Sequence, residues 1–214
     1  MLKIELNKEL DKEVYLAFND GIVGGVDFGK KITADHPNIS KNNYSQYIDK
    51  YYNENLLILN STLEETKKCF LEIKTALFSQ LMNYFGVDYS KENFTCYLSI
   101  FNCNPRYIET KTFQVFYKRP YDLRKEVIAH ELTHFAFYDY CHKLNIKDSK
   151  ELWELSEIFN VIFLNLEPIR SAIGKEELLF YPAFKDKLRH INKIWHQDRR
   201  PNTFILQSLK FLSE

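Results

Sequence analysis

Val127-Ile128-Ala129-His130-Glu131-Leu132-Thr133-His134-Phe135-Ala136-Phe137 is an apolar run broken by two histidines and one acid in the pattern H-E-x-x-H. On an α-helix, residues i and i+4 lie on one face, so this spacing predicts that His130 and His134 aim at a common point. Glu131, one residue round, flanks that point. Two imidazoles can share one divalent cation, and an adjacent carboxylate can exchange a proton with a water held beside it. The residue types and their spacing together point to Zn²⁺ and to hydrolysis.

Working outward, the next helical positions exclude one class of metal site. A continuation H-x-x-G-x-x-H would place Gly and His at 137 and 140, where this chain has Phe137 and Tyr140. His142 is eight residues beyond His134 and turns away from the shared face. The third ligand must therefore come from elsewhere. The stretch Leu152-Trp153-Glu154-Leu155-Ser156-Glu157-Ile158-Phe159-Asn160 supplies two acids inside an apolar run, where an unpaired carboxylate is costly. Its apolar stripe is Leu152, Leu155, Phe159, Ile162 and Leu166, with Glu157 nearly opposite and Glu154 on the flank. A helix lying between a core and a metal shows that opposition, so Glu157 is preferred as third ligand and Glu154 stays open as the alternative. Asn160 shares the Glu157 face and can support the ligand shell by hydrogen bonding.

The segment 130–134 resembles the active helix of thermolysin-like enzymes, and 153–160 resembles the second, glutamate-bearing helix of the gluzincins. The resemblance covers about residues 127–165. It implies a zincin-like metallopeptidase fold, a zinc ion held by His130, His134 and a glutamate, and Glu131 as general base in peptide-bond hydrolysis. Tyr181 and His190, and also His196, are candidates for stabilising the transition state, since gluzincins often recruit a Tyr or His from their C-terminal part.

Composition narrows the partners. The chain has 214 residues, with 29 Lys plus Arg against 29 Asp plus Glu, so no net field attracts a polyanion and nucleic acid is not expected. The charged start, MLKIELNKELDKEVY, lacks a signal-peptide core, and no run reaches the length of a membrane span; the expectation is a cytoplasmic protein with a peptide or protein substrate. Cys69, Cys96, Cys103 and Cys141 form no CxxC pair and fit reduced thiols.

Around the motif, the pattern predicts an α+β fold in a single domain over residues 1–214. Residues 1–60 read as β-rich: Leu2, Ile4 and Leu6 alternate with polar residues, and 14–18 and 22–26 flank Asn19-Asp20-Gly21 as a hairpin. Tyr44, Tyr47, Tyr51 and Tyr52 suggest a short helix. The catalytic core, 61–166, opens with a long amphipathic helix over 62–85, capped by Ser61 or Thr62 and ended by Gly86. Strands follow at 94–101 and 113–117, the second either an edge for pairing with an extended peptide or, equally, an ordinary core strand. Next come the helix carrying His130, opened by Pro120 and Asp122, and a helix over 151–166 terminated by Pro168. Residues 167–214 read as a helical C-terminal part with helices over 183–195 and 203–212.

Two rival functions share these residues. A peptide deformylase also uses H-E-x-x-H but takes a cysteine ligand, for which Cys103 is the upstream candidate; Cys96 or Cys103 is alternatively an inhibitory thiolate. The other rival is a non-catalytic zinc-binding module that acts as a sensor or a toxin-system partner.

Overall fold

Asn7 decides the N-terminal architecture. Its side chain accepts from the Leu10 N–H at 3.0 Å and so starts helix α1 (Lys8–Phe18) directly behind strand β1 (Leu2–Leu6). Residues 14–18, read from sequence as half of a hairpin, are helical instead. Leu10, Val14 and Phe18 recur every four residues, so their apolar side chains share one helix face, and this outweighs the β preference of Val14 and Tyr15. Only Ile22–Val23 (β2) and Val26–Asp27 (β3) pair as a small antiparallel ribbon, followed by α2 (Phe28–Asp35). At Gly29 a Cβ would lie 2.2 Å from the Asn19 carbonyl oxygen, so the chain closes there only with glycine. The N-terminal 60 residues are thus mainly helical, not β-rich.

The computed structural model describes residues 1–214 as an α+β protein. The Tyr-rich segment and the long amphipathic segment form one uninterrupted helix, α3 (Tyr44–Phe85). Ser61 and Thr62 lie in its interior, where the Thr66 hydroxyl donates to the Thr62 carbonyl at 2.7 Å, so neither caps a helix. Gly86, at φ 71°, ends it. Strands β4 (Phe94–Ser99), β5 (Arg106–Tyr107) and β6 (Thr112–Phe116) follow, then α4 (Tyr121–Lys143) and α5 (Lys150–Leu164). Pro168 does not terminate α5; Asn165 does, and Pro168 sits in the first turn of a further helix, α6 (Glu167–Ile173). A short 3₁₀ turn (Pro182–Phe184) leads into α7 (Lys185–Gln197) and α8 (Pro201–Leu212). No helix is long and apolar enough to cross a membrane.

Contacts divide the chain into two compact units, Met1–Leu71 with Asn93–Ile128, and Glu72–Glu92 with Ala129–Glu214. In the first, the sheet order is β1-β4-β6-β5, with β1, β4 and β6 mutually parallel and β5 antiparallel to β6. Parallel strands tend to be covered on both faces, which fits the burial of all four residues from Phe113 to Phe116. The buried Asp11 carboxylate ties this unit together. It accepts from the Tyr52 and Ser99 hydroxyls, each at 2.6 Å, from the Ile100 N–H at 3.1 Å and from Gln114 Nε2 at 3.4 Å, joining α1, α3, β4 and β6. Burial nevertheless raises its pKa to about 6, against the opposing pull of these donors.

In the second unit, aromatic rings make the core around α5. Phe159 meets Phe137 and Phe163 with ring centroids 5.1 Å apart and lies within 6.1 Å of Trp195. Each such fully buried Phe contributes roughly 1.5–3 kcal/mol by leaving water. With Phe159 facing this core, Glu157 is carried round to another side of α5, where α4 supplies the histidines.

Candidate metal centre

The middle of helix α4, residues 127–138, is buried nearly all round: Ile128, Ala129, Leu132, Phe135 and Ala136 are fully buried. Such a helix lies inside the protein, so the histidines on it have few alternatives to one another and to what packs against them. His130 and His134, one turn apart, bring their Nε2 atoms to 2.9 Å. From α5, Glu157 reaches both, with Oε2 3.4 Å from His130 Nε2 and Oε1 3.5 Å from His134 Nε2. These three side chains form a cluster that can hold a metal ion.

The dimensions can be set against what a metal requires. Ligand bonds of about 2.0–2.1 Å in a tetrahedron separate the donor atoms by roughly 3.3 Å. The two nitrogen-to-oxygen separations match that figure, and the two nitrogens would part by a few tenths of an ångström. Two imidazole nitrogens and one carboxylate are also a donor set that zinc accepts while leaving a fourth position open. The residues present therefore fit the group.

His130 has a second acidic partner. Its Nδ1 lies 3.0 Å from Glu177 Oε1, and because a carboxylate accepts, Nδ1 carries the proton and Nε2 is the atom turned toward the cluster. Behind the ring, Asn160 Nδ2 donates to the His130 carbonyl oxygen at 3.1 Å, so the face shared by Glu157 and Asn160 braces α4 as well. Burial disfavours the imidazolium, but Glu157 and Glu177 outweigh it and hold the His130 pKa well above its ordinary value. The His130 side chain is 17% exposed, against 0% for His134 and 6% for Glu157, so solvent reaches the cluster from the His130 side. Glu131 is buried beside His130 on α4.

Glu154 is engaged otherwise. Although buried on the same helix, it pairs with Lys187 of α7, and Lys150 lies 3.9 Å away. Tyr181 packs edge-on to Trp153 at 5.1 Å, and Trp153 is one turn before Glu157 on α5. The exposed His190 stacks face to face on Phe211, with centroids 3.8 Å apart, and His196 is exposed near the end of α7. His142 meets Asp148 at the surface, 2.9 Å away. In the other unit, Cys96 and Cys103 are buried, and burial pushes the Cys103 thiol up to about 12, so it stays protonated. The outer edge of β6 is also closed: β5 pairs with its start, the Gln114 N–H donates to the Pro105 carbonyl at 3.0 Å, and the Phe116 N–H donates to Asn104 Oδ1 at 3.2 Å. Those donors are taken, so of the two readings of 113–117 the structure favours the core strand over the peptide-pairing edge.

Glu177 is the site residue that sequence reasoning missed. It lies in a segment without helix or strand, where no periodicity marks an inward-facing position. The nearest signal is the pair Glu176-Glu177 ahead of Leu178-Leu179, which does not by itself mark an inward-facing acid. The chain matches no family model, no curated protein and no solved structure.

Proposed function

We propose that this chain is a zinc-dependent peptide hydrolase of gluzincin type, with His130, His134 and Glu157 as ligands. The observation that carries the reading is the convergence of two imidazole Nε2 atoms and one carboxylate, from largely buried side chains, beside a glutamate in the H-E-x-x-H position. A zinc ion bound there would supply Lewis acidity, making water a usable nucleophile near neutral pH and polarising a carbonyl. Glu131 then takes the proton from the attacking water and delivers it to the leaving amine. Glu177 holds the Nδ1 proton of His130, which keeps Nε2 available as a donor atom and fixes the ring plane. Asn160 and the apolar packing of α4 keep the two histidines in register with Glu157.

The third donor here is a carboxylate and the buried Cys103 is held as a thiol, which argues against a deformylase-type cysteine ligand. Burial of His134, Glu131 and Glu157 supports a second reading, a metal site that stabilises or senses without turnover. Glu131→Gln separates the two. For a hydrolase, the variant keeps zinc while cleavage of a mixed peptide library falls about 10²–10⁴-fold. If wild type loaded with zinc cleaves nothing, and Glu131→Gln leaves the biological activity intact, the non-catalytic reading holds.

A further inference from the structure

Asn165 caps the C-terminus of α5, the helix that carries Glu157, and its carboxamide reaches well beyond that role. Nδ2 donates to the Val161 carbonyl at 2.8 Å, as a cap does, and also to the Glu177 carbonyl at 2.9 Å. Its Oδ1 accepts from the Glu177 N–H at 3.0 Å. One side chain thus grips both main-chain polar groups of the residue whose carboxylate meets His130.

Glu177 needs such a grip. It sits in the irregular segment 174–181, where no ladder or helix fixes the backbone, and its neighbours Glu176 and Leu178 face solvent while it points inward. Ordering one residue of such a segment costs backbone conformational entropy. Its carboxylate offers little in return, since Oε2 is buried without a hydrogen-bond partner and only Oε1 is bonded, to His130. A half-satisfied buried acid is held in place by something other than its own contacts. The main-chain clamp from α5 does this, and it ties both acids that face His130 to a single helix.

We infer that Asn165 is a positioning residue for the metal centre, acting on His130 through Glu177. The inference rests on the metal reading above. It is tested by zinc dissociation constants, measured by competition with a chromogenic chelator, for wild type, Asn165→Ala, Glu177→Ala and the double variant, with circular dichroism reporting the fold. Asn165→Ala is expected to weaken zinc binding about tenfold and Glu177→Ala about 10–100-fold, the usual range for groups behind a ligand. In the double variant, loss of Asn165 adds nothing further, because the carboxylate it positions is already gone. Should Asn165→Ala destabilise the fold, Asn165→Ser replaces it; its single short hydroxyl cannot hold both main-chain groups of Glu177, and it is expected to weaken binding several-fold. An affinity within the error of wild type, or an equal loss with and without the Glu177 carboxylate, overturns the inference. If wild type binds zinc no better than His130→Ala, the metal reading itself has failed.

Discussion

At the scale of single residues, the candidate site is assembled from two kinds of side chain, and only one kind announces itself in sequence. His130, Glu131, His134 and Glu157 lie on helices, where a period of 3.6 converts sequence spacing into direction. Placing Glu157 opposite the stripe containing Leu155 and Phe159 was therefore legible, and the structure brings Glu157 to the imidazoles while Glu154 meets Lys187. Glu177 has no such periodicity and is placed by Asn165. The loss expected on Glu177→Gln, about 10–100-fold in zinc affinity, is read by chelator competition and is a property of this one contact. Replacing Glu177 by Ala removes the acceptor for the His130 Nδ1–H as well as the charge, and is expected to cost at least as much.

At the scale of elements, local capping and long-range packing decided between readings that composition left close. The Val14-Tyr15 pair favours a strand, but Asn7 as N-cap and the four-residue recurrence of Leu10, Val14 and Phe18 make it a helix. In α3, residues Ser61 and Thr62 look like a start signal, yet buried positions such as Ile48, Tyr52, Leu59 and Thr66 continue one face across them. A helix is not interrupted by a possible cap when both sides already pack. This has a measurable consequence at Glu64, which is exposed and contributes only a surface pair with Lys67 at 2.7 Å. A proline there would sit harmlessly in the first turn of a helix starting at residue 62 or 63. In the interior of a 42-residue helix it removes a hydrogen bond and clashes with the preceding turn. Glu64→Pro is accordingly expected to destabilise the protein by about 3 kcal/mol or more in urea unfolding; a neutral result would mean that α3 is really two helices.

For the whole molecule, the α+β class was legible from mixed periodicities, whereas the parallel order β1-β4-β6 was not, because pairing between strands about ninety residues apart leaves no local trace. The hub that secures this sheet is Asp11, and it carries a pH signature. Its folded pKa, about 6, is raised above the ordinary carboxylate value, so its contribution to stability is fully present below about pH 4 and is lost as pH rises through 6. A shift of about two units corresponds to roughly 3 kcal/mol. Urea unfolding from pH 4 to 8 is expected to show wild type losing stability relative to Asp11→Asn by about that amount as pH rises, with no such divergence if Asp11 ionises normally. Metal binding adds a second dependence. His130 is held protonated well above its usual range, and zinc must displace that proton from Nε2, so zinc affinity rises with pH across the neutral range. The zinc dependence presupposes one cation held by side chains of α4 and α5. The direct test is the zinc content of wild type, Glu157→Gln and Glu154→Gln after purification and dialysis against trace zinc. One tightly held zinc per chain in wild type and Glu154→Gln, with loss in Glu157→Gln, is the predicted result; retention in Glu157→Gln, or no zinc in wild type, would contradict the account.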